Sequence, residues 1–344
     1  MPDAVFRPVT VVTVTYGDRW KYLSRLLQFL QTQSAVTQVI VVDNASAKSI
    51  EKLVVEGGFQ NLVKVLTEDR NLGSAAAYAH ALRYVNEQRR AQFVYLLDDD
   101  NLPDENAIAN LARRAVHGGP LDVFCSLRTD RKYLVHALAT RQPLRHARNA
   151  FCGNDVWNAI GQKLGFKIEV PPQTGPADLV EAEYAPYGGM FFSSELVDAV
   201  GYPNAAYFVY ADDFEYVCRI RKQGGHVSIC GDSMIEDMEK VWFDDNDTRI
   251  PGWFSPGSTD FRVFYSVRNR VALERAWLVT RPGVYFSGAI VMMAHLSVKA
   301  ALHGAPARLV LHRLKLLFRA TRDGWSGSLG EVQLAPYPRP QPSI

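Results

Sequence analysis

The first 127 residues alternate two hydrophobic periodicities, and no other feature restricts the fold so strongly. "VTVVTVTY" (9–16), "QVIVVDN" (38–44), "LVKVL" (62–66), "AQFVYLLD" (91–98) and "LDVFCSL" (121–127) are short apolar runs rich in β-branched residues. Such runs read as strands buried on both faces of a parallel sheet. Helical signals separate them. Trp20, Leu23, Leu26, Leu27 and Leu30 recur at helical spacing, and a helix is expected over roughly 47–56. Ser74 is the expected N-cap of the Ala-rich stretch behind it. "PDENAIANLARRAV" opens on Pro103 and acidic residues, as helix N-termini do. This rhythm predicts an α/β fold with a doubly wound, mostly parallel sheet and right-handed crossovers.

Beyond residue 128 the pattern loosens. "EVPPQTGPADLVEAE" (169–183) reads as an exposed loop. "YAPYGGMFFSSELVDAVG" (184–201) reads as a strand and then a helix capped by Ser193 or Ser194. "ADDFEYVCRIRKQGG" (211–225) is a helix closed by Gly224-Gly225, and "HVSIC" (226–230) a strand. From about residue 241 the composition changes: a loop, "WFDDNDTRIPGWFSPGST", precedes the helix "DFRVFYSVRNRVALERAWLV" and a basic helical tail. A chain of 344 residues suits one large α/β domain with an appendage. We place the boundary between residues 1–240 and a C-terminal helical region, 241–344.

With a net charge of +2, the whole molecule is not expected to bind nucleic acid, and electrostatic function must be local. Cys125, Cys152, Cys218 and Cys230 lack metal-type spacing and read as reduced thiols of a cytoplasmic protein. The N-terminus lacks a basic segment followed by a long apolar one, so no secretion signal is expected. The longest apolar run, "GVYFSGAIVMMAHL" (283–296), falls short of the ~20 residues that span a bilayer. No transmembrane helix is expected. "APARLVLHRLKLLFRATRDGWSG" (305–327) interleaves Leu309, Leu311, Leu314, Leu316, Leu317 and Phe318 with Arg308, Arg313, Lys315, Arg319 and Arg322. Such a helix either lies on an anionic membrane face, peripherally on the inner side of the cytoplasmic membrane, or packs on the core with a solvated basic side.

Ligands of doubly wound sheets bind at the carboxyl ends of the strands. Thr15, Asp43, Arg70 and Asp98–Asp100 all fall on that edge. Three adjacent carboxylates behind a buried strand repel one another and are costly to desolvate. Hard oxygen ligands in that position suit Mg²⁺ or Mn²⁺ carrying a substrate pyrophosphate; a solvated acidic turn is the plainer alternative.

Taken together, "VTVTYGDR" (12–19), "VIVVDNAS" (39–46), "EDRNLGSAAAYAHAL" (68–82), "VYLLDDDNLP" (94–103), "YGGMFFSSE" (187–195), "DDFEYVCRIRKQG" (212–224) and "FYSVRNR" (264–270) resemble the family 2 glycosyltransferases, over about residues 9–275. These are inverting enzymes of the GT-A fold. The last two motifs resemble the galactofuranosyl- and rhamnosyltransferase-like branch. The resemblance implies a UDP- or dTDP-linked sugar donor and a cell-surface or lipid-linked glycan acceptor. It gives Asp98 and Asp100 to the metal or the donor ribose, turns Asp99 toward the donor, and gives Asp43 to the nucleoside. Arg19, Arg70, Asn71 and Gly73 are placed beside the donor's diphosphate with Thr15, and Gly188, Gly189 and Trp157 beside the acceptor. Asp213 becomes the general base, with Asp212 supporting it. Where this branch carries a metal-binding His, "CGDSMIEDMEK" (230–240) has Asp237. A carboxylate there either keeps the metal with altered preference or marks a lost ligand. A sugar nucleotidyltransferase would show a Gly-rich basic loop after the first strand, and "TYGDRWKYL" has none. A non-catalytic glycan-binding relative stays open on the missing His.

Overall fold

The computed structural model describes residues 8–166, 172–239 and 250–334. In chain order the elements are β1 (Val9–Gly17), α1 (Trp20–Gln31), β2 (Val36–Ser46), α2 (Ile50–Glu56), β3 (Val63–Glu68), α3 (Gly73–Gln88), β4 (Phe93–Asp98), β5 (Asn101–Pro103), α4 (Ala107–His117), β6 (Val123–Arg128), α5 (Lys132–Thr140), α6 (Val156–Lys163), β7 (Leu179–Glu181), β8 (Met190–Ser193), α7 (Glu195–Val200), α8 (Asp212–Lys222), β9 (Val227–Asp237), α9 (Asp260–Trp277), α10 (Pro282–Leu302) and α11 (Ala307–Ser326).

The chain forms two compact units. The first comprises residues 1–145, 170–205 and 212–241, and the second 146–169, 206–211 and 242–344. Two short segments that lie before residue 240 therefore fold with the C-terminal helices.

The first unit is built on one sheet in the order β3-β2-β1-β4-β8-β6-β9-β5, with β7 paired to β9. The pairs β1–β2, β1–β4, β2–β3 and β6–β9 are parallel. β8 runs antiparallel between β4 and β6. Alternate residues of each central strand feed opposite cores. Val12, Ile40, Val42, Val94 and Leu96 pack with Ala77, Tyr78 and Leu82 of α3 on one face. Val11, Val39, Val41, Tyr95 and Leu97 pack with Leu23, Leu26 and Leu27 of α1 and Leu111 of α4 on the other. Burial on both faces is why these strands lack polar alternation.

Three local expectations are corrected. α3 begins at Gly73 with Leu72 as N-cap, which leaves the Ser74 hydroxyl to hydrogen-bond Asp212 instead. Pro103 ends a short strand rather than opening a helix, because Asn101–Pro103 pairs with Ile235–Asp237; α4 starts four residues later, at Ala107. Neither Ser193 nor Ser194 caps α7 in the usual manner. Ser194 holds the N-cap position without a side-chain capping bond, its hydroxyl donating to the Ala91 carbonyl instead, while the Ser193 hydroxyl accepts the Glu195 N–H at 3.3 Å. Of the loop expected at 242–259, residues 242–249 lie outside the described residues.

In the second unit, α11 packs along α9. Val310, Leu316, Leu317 and Ala320 are buried with Phe264, Val267 and Val271, and Arg313 is buried against Asp260 at 2.5 Å. The apolar side of the basic helix is thus spent on the core. α10 is longer than the apolar run that opens it. It runs 21 residues, continuing past the apolar 283–296 stretch through Lys299 to Leu302, and its mean hydropathy of 1.4 makes it long and apolar enough to cross a membrane by length and composition. Only 28% of that window is buried.

Gly324 sets the closeness of the α9–α11 contact. A Cβ there would collide with the Arg268 carbonyl oxygen and sit 2.9 Å from the Val271 Cβ. Gly324→Ala is expected to destabilise the protein by about 1–3 kcal/mol, read as a lowered Tm. An unchanged Tm would mean that these helices are not seated so tightly.

Candidate active site

The parallel register brings the ends of β1, β4, β6 and β9 to one edge of the first unit. Arginines answer the carboxylates there. Asp99, buried, accepts the Thr15 hydroxyl at 2.7 Å and the Arg19 Nε–H at 2.8 Å. Arg19 also reaches Asp100 at 2.9 Å and pairs with Glu239. Asp98, whose side chain is 41% exposed, accepts from Arg128 at 3.2 Å and from the Tyr78 hydroxyl at 3.3 Å.

Burial pushes the Asp99 carboxyl up to about 7, against the opposing pull of Arg19 and Thr15. Burial, followed by the charge of Asp98, pushes Asp100 up to about 6, with Arg19 opposing and Asp237 adding to the rise. Mutual repulsion of this kind suits a cation. Asp98 and Asp100 match what Mg²⁺ or Mn²⁺ takes from protein, one or two carboxylates with water and phosphate completing the shell. Among the described residues, no three His, Cys, Asp or Glu side chains gather as a ready metal site.

Asp237 stands differently from the expectation. It is opposite Asn101 in the β5–β9 register, and its oxygens accept from Arg128 at 2.5 Å, Arg131 at 2.8 Å and Asn101 Nδ2 at 2.8 Å. Arg128, Arg131 and Asn101 escaped sequence reasoning, since an Arg ending a strand and an Asn after a DDD carry no distinctive spacing.

The other donor-side residues divide by burial. Asp43 is buried and accepts the backbone N–H groups of Ser46 at 2.8 Å and Ile50 at 3.4 Å, so its carboxylate shapes the β2–α2 turn. Asn71 accepts the Gly73 N–H at 2.8 Å and the amide of Asn44 at 3.1 Å. Asn44 in turn accepts the Leu72 N–H at 2.8 Å. The two asparagines build the loop before α3, where Gly73 takes φ +77°, a backbone region open to glycine. Arg70 is exposed in that loop.

Gly188 lies against the carboxylates: a Cβ would collide with Asn101 and fall 2.6 Å from Asp98 Oδ2. Gly189 has φ +101°. Trp157 belongs to the second unit, where its indole N–H donates to the Val284 carbonyl at 3.4 Å.

Asp212 and Asp213 open α8. Asp212 is buried and accepts the Ser74 hydroxyl at 3.2 Å. Asp213 is half-buried and accepts the neighbouring Phe214 N–H at 2.8 Å. Burial raises both carboxyls. For Asp213 the charge of Asp212 is the next cause, and Asp98 contributes. The chain enters this pair from a strained segment: Phe208, Tyr210 and Ala211 all have φ between +61° and +67°. Asn269 of α9, fully buried, donates its amide to the carbonyls of Tyr207 at 2.7 Å, Val209 at 2.6 Å and Tyr210 at 3.1 Å. Within "FYSVRNR", Asn269 thus acts as the clamp that holds three unfavourable backbone conformations.

The first unit is thus a mostly parallel α/β sheet that carries carboxylates and arginines at its strand ends. Residues 10–167 match the model of glycosyl transferase family 2. The galactofuranosyltransferase GlfT1 of Mycolicibacterium smegmatis is 25% identical over 230 residues, 64% of this chain and 68% of that protein. The crystal structure of GalNAc-T7 with UDP, GalNAc and Mn²⁺ superposes with a TM-score of 0.57 at 14% identity, covering 94% of this chain and 57% of that one. The mannosyltransferase PcManGT of Pyrobaculum calidifontis, in complex with GDP-Man and Mn²⁺, gives 0.52 at 16% identity, covering 94% and 77%. These likenesses show the GT-A fold.

The raised Asp100 carboxyl has a stability consequence. Between the ordinary carboxylate value and about 6, the unfolded chain has lost this proton while the folded chain keeps it, so stability falls as pH rises through that window. Above it the full penalty stays. Asp100→Asn should therefore raise the Tm of the metal-free protein at pH 7.5 and lose that advantage by pH 4. A Tm gain that does not change with pH would sink this account.

Proposed function

We propose that the protein is an inverting glycosyltransferase that moves galactofuranose, or alternatively rhamnose, from a UDP- or dTDP-linked donor to a hydroxyl of a cell-surface or lipid-linked glycan. The observation that carries the reading is Asp213, a half-buried carboxylate with a raised affinity for protons, on the same unit as the Asp98–Asp100 edge. An acceptor hydroxyl is a poor nucleophile until its proton is taken. Asp213 takes that proton as the oxygen attacks the anomeric carbon, opposite the departing nucleoside diphosphate, and the configuration inverts. Asp212, fixed by Ser74, keeps the Asp213 carboxyl basic by like-charge repulsion. Galactofuranose is favoured by the name of the similar mycobacterial enzyme. The Mn²⁺ in two structures of like fold favours a divalent ion here, held by Asp98 and Asp100. When bound, it would neutralise charge on the leaving diphosphate.

Asp213→Asn keeps size and polarity but removes basicity. Turnover should fall ~10²–10⁴-fold and lose its acidic limb in the pH–rate profile, while donor affinity changes little. Asp212→Asn should be milder. Near-normal turnover in Asp213→Asn would show that another group is the base.

We further propose that the second unit rests on the anionic cytoplasmic face of a membrane. Residues 281–322 contain seven Lys or Arg and no Asp or Glu, in a chain of net charge +2. Ile290, Val298 and Leu302 of α10 and Leu311 and Phe318 of α11 are exposed. Apolar side chains set among basic ones suit an anionic lipid surface. Ile290→Glu with Phe318→Glu should abolish co-sedimentation with phosphatidylserine-containing vesicles without lowering the Tm. Undiminished vesicle binding by this double variant, or none by the wild type, would refute the placement.

A further inference from the structure

Asp237 has no lone pair left for a metal ion. A carboxylate offers about four acceptor sites, and all are taken: Arg128 Nη2 bridges both oxygens at 2.5 Å, Arg131 Nη2 donates to Oδ2 at 2.8 Å, and Asn101 Nδ2 to Oδ1 at 2.8 Å. The partners are fixed by sheet register. Arg128 ends β6 and Asp237 ends β9, adjacent parallel strands, while Asn101 faces Asp237 from β5. The carboxylate is 7% exposed and the Arg128 side chain 6%.

The Arg128 guanidinium is held unevenly. Its Nη2 is committed to Asp237, whereas Nη1 makes a longer, 3.2 Å contact with the more exposed Asp98, and its buried Nε–H has no hydrogen-bond partner. A buried, unpaired donor on a charged group costs about 1–3 kcal/mol or more. It is maintained here beside Asp98, one of the two carboxylates to which the ion is assigned. The Gly188 backbone packs closely against this pair, since a Cβ at that position would lie 2.9 Å from Nη1 and 2.6 Å from Asp98 Oδ2.

From this geometry we infer that Arg128, oriented by Asp237, binds the diphosphate of the nucleotide donor and adds a fixed positive charge at the place of a third metal ligand. This rests on the nucleotide-sugar reading above. A guanidinium stays charged at any working pH and presents a planar fork that fits phosphate oxygens. When sugar transfer breaks the bond between the anomeric carbon and the diphosphate oxygen, the electron pair stays on that oxygen, and Arg128 stabilises the charge there. Asp237 is then a positioning residue: in place of a metal-binding His it holds a guanidinium that acts beside the ion assigned to Asp98 and Asp100. Unlike an ion, Arg128 cannot be removed by a chelator.

The test compares UDP and dTDP with uridine and thymidine, which lack the diphosphate, by calorimetry on the full-length protein in EDTA and in Mn²⁺. Wild type should prefer the matching diphosphate over its nucleoside even in EDTA. Arg128→Gln should lose at least ~10-fold of that preference and leave nucleoside affinity unchanged. Arg128→Lys should keep part of it, and its folding is checked by circular dichroism alongside. Asp237→Asn should give an intermediate loss. An Arg128→Gln protein that retains the wild-type preference in EDTA overturns the inference while leaving the donor reading intact. Equal losses for diphosphate and nucleoside also overturn it, because a purely structural arginine would act that way. A wild type that binds neither diphosphate overturns both readings.

Discussion

Every feature of the candidate site depends on one electrostatic problem: three carboxylates, Asp98, Asp99 and Asp100, are delivered by a buried strand to the edge of a sheet. Their repulsion must be balanced, and the sheet balances it with groups from strands distant in sequence. Arg19 follows β1, Arg128 ends β6, and Asn101 sits between the triplet and β9. Asp99 is the most deeply engaged, bonded to Thr15 and Arg19. That leaves Asp98 and Asp100 as the members available to an ion. The same logic separates Asp213 from Asp212. The buried partner is tied to Ser74, and the half-buried one, which accepts the Phe214 N–H, is the proposed base.

The second unit contributes through backbone geometry. Three non-glycine residues with positive φ just before Asp212 would each tend to relax. The fully buried Asn269 amide, placed by α9, ties three of the carbonyls in this segment. Its neighbour Arg268, also fully buried, donates to Tyr207 O at 3.3 Å. A motif in a helix far downstream is therefore tied to the chain entering the proposed base.

Much of the fold was legible because burial on both faces of a parallel sheet leaves unbroken β-branched runs, and the five early strands fall where those runs predict. The antiparallel β8 between β4 and β6 was not legible as an insertion, since strand order is a long-range property that local periodicity does not encode. The cap at Ser74 and the helix start at Pro103 failed for a related reason. Each residue found a tertiary partner, Asp212 in one case and the β9 backbone in the other, that outweighed its local preference. The tail expectation divided: α11 is amphipathic as its spacing predicts, but α9 takes its apolar side, and the longer exposed apolar surface belongs to α10.

The sequence by itself determined the layered α/β architecture, the edge on which polar groups collect, and the DDD and DD acid clusters, because each is written in spacing over a few residues. Only the tertiary structure decided which acid meets which base. Asp237 stands at the position expected of a metal ligand, yet sheet register sets it against Arg128, Arg131 and Asn101, which fill all its acceptor sites. Hydrogen-bond geometry acts over about 3 Å, and three of the four groups meeting there lie on different strands. No local pattern in the chain records that meeting.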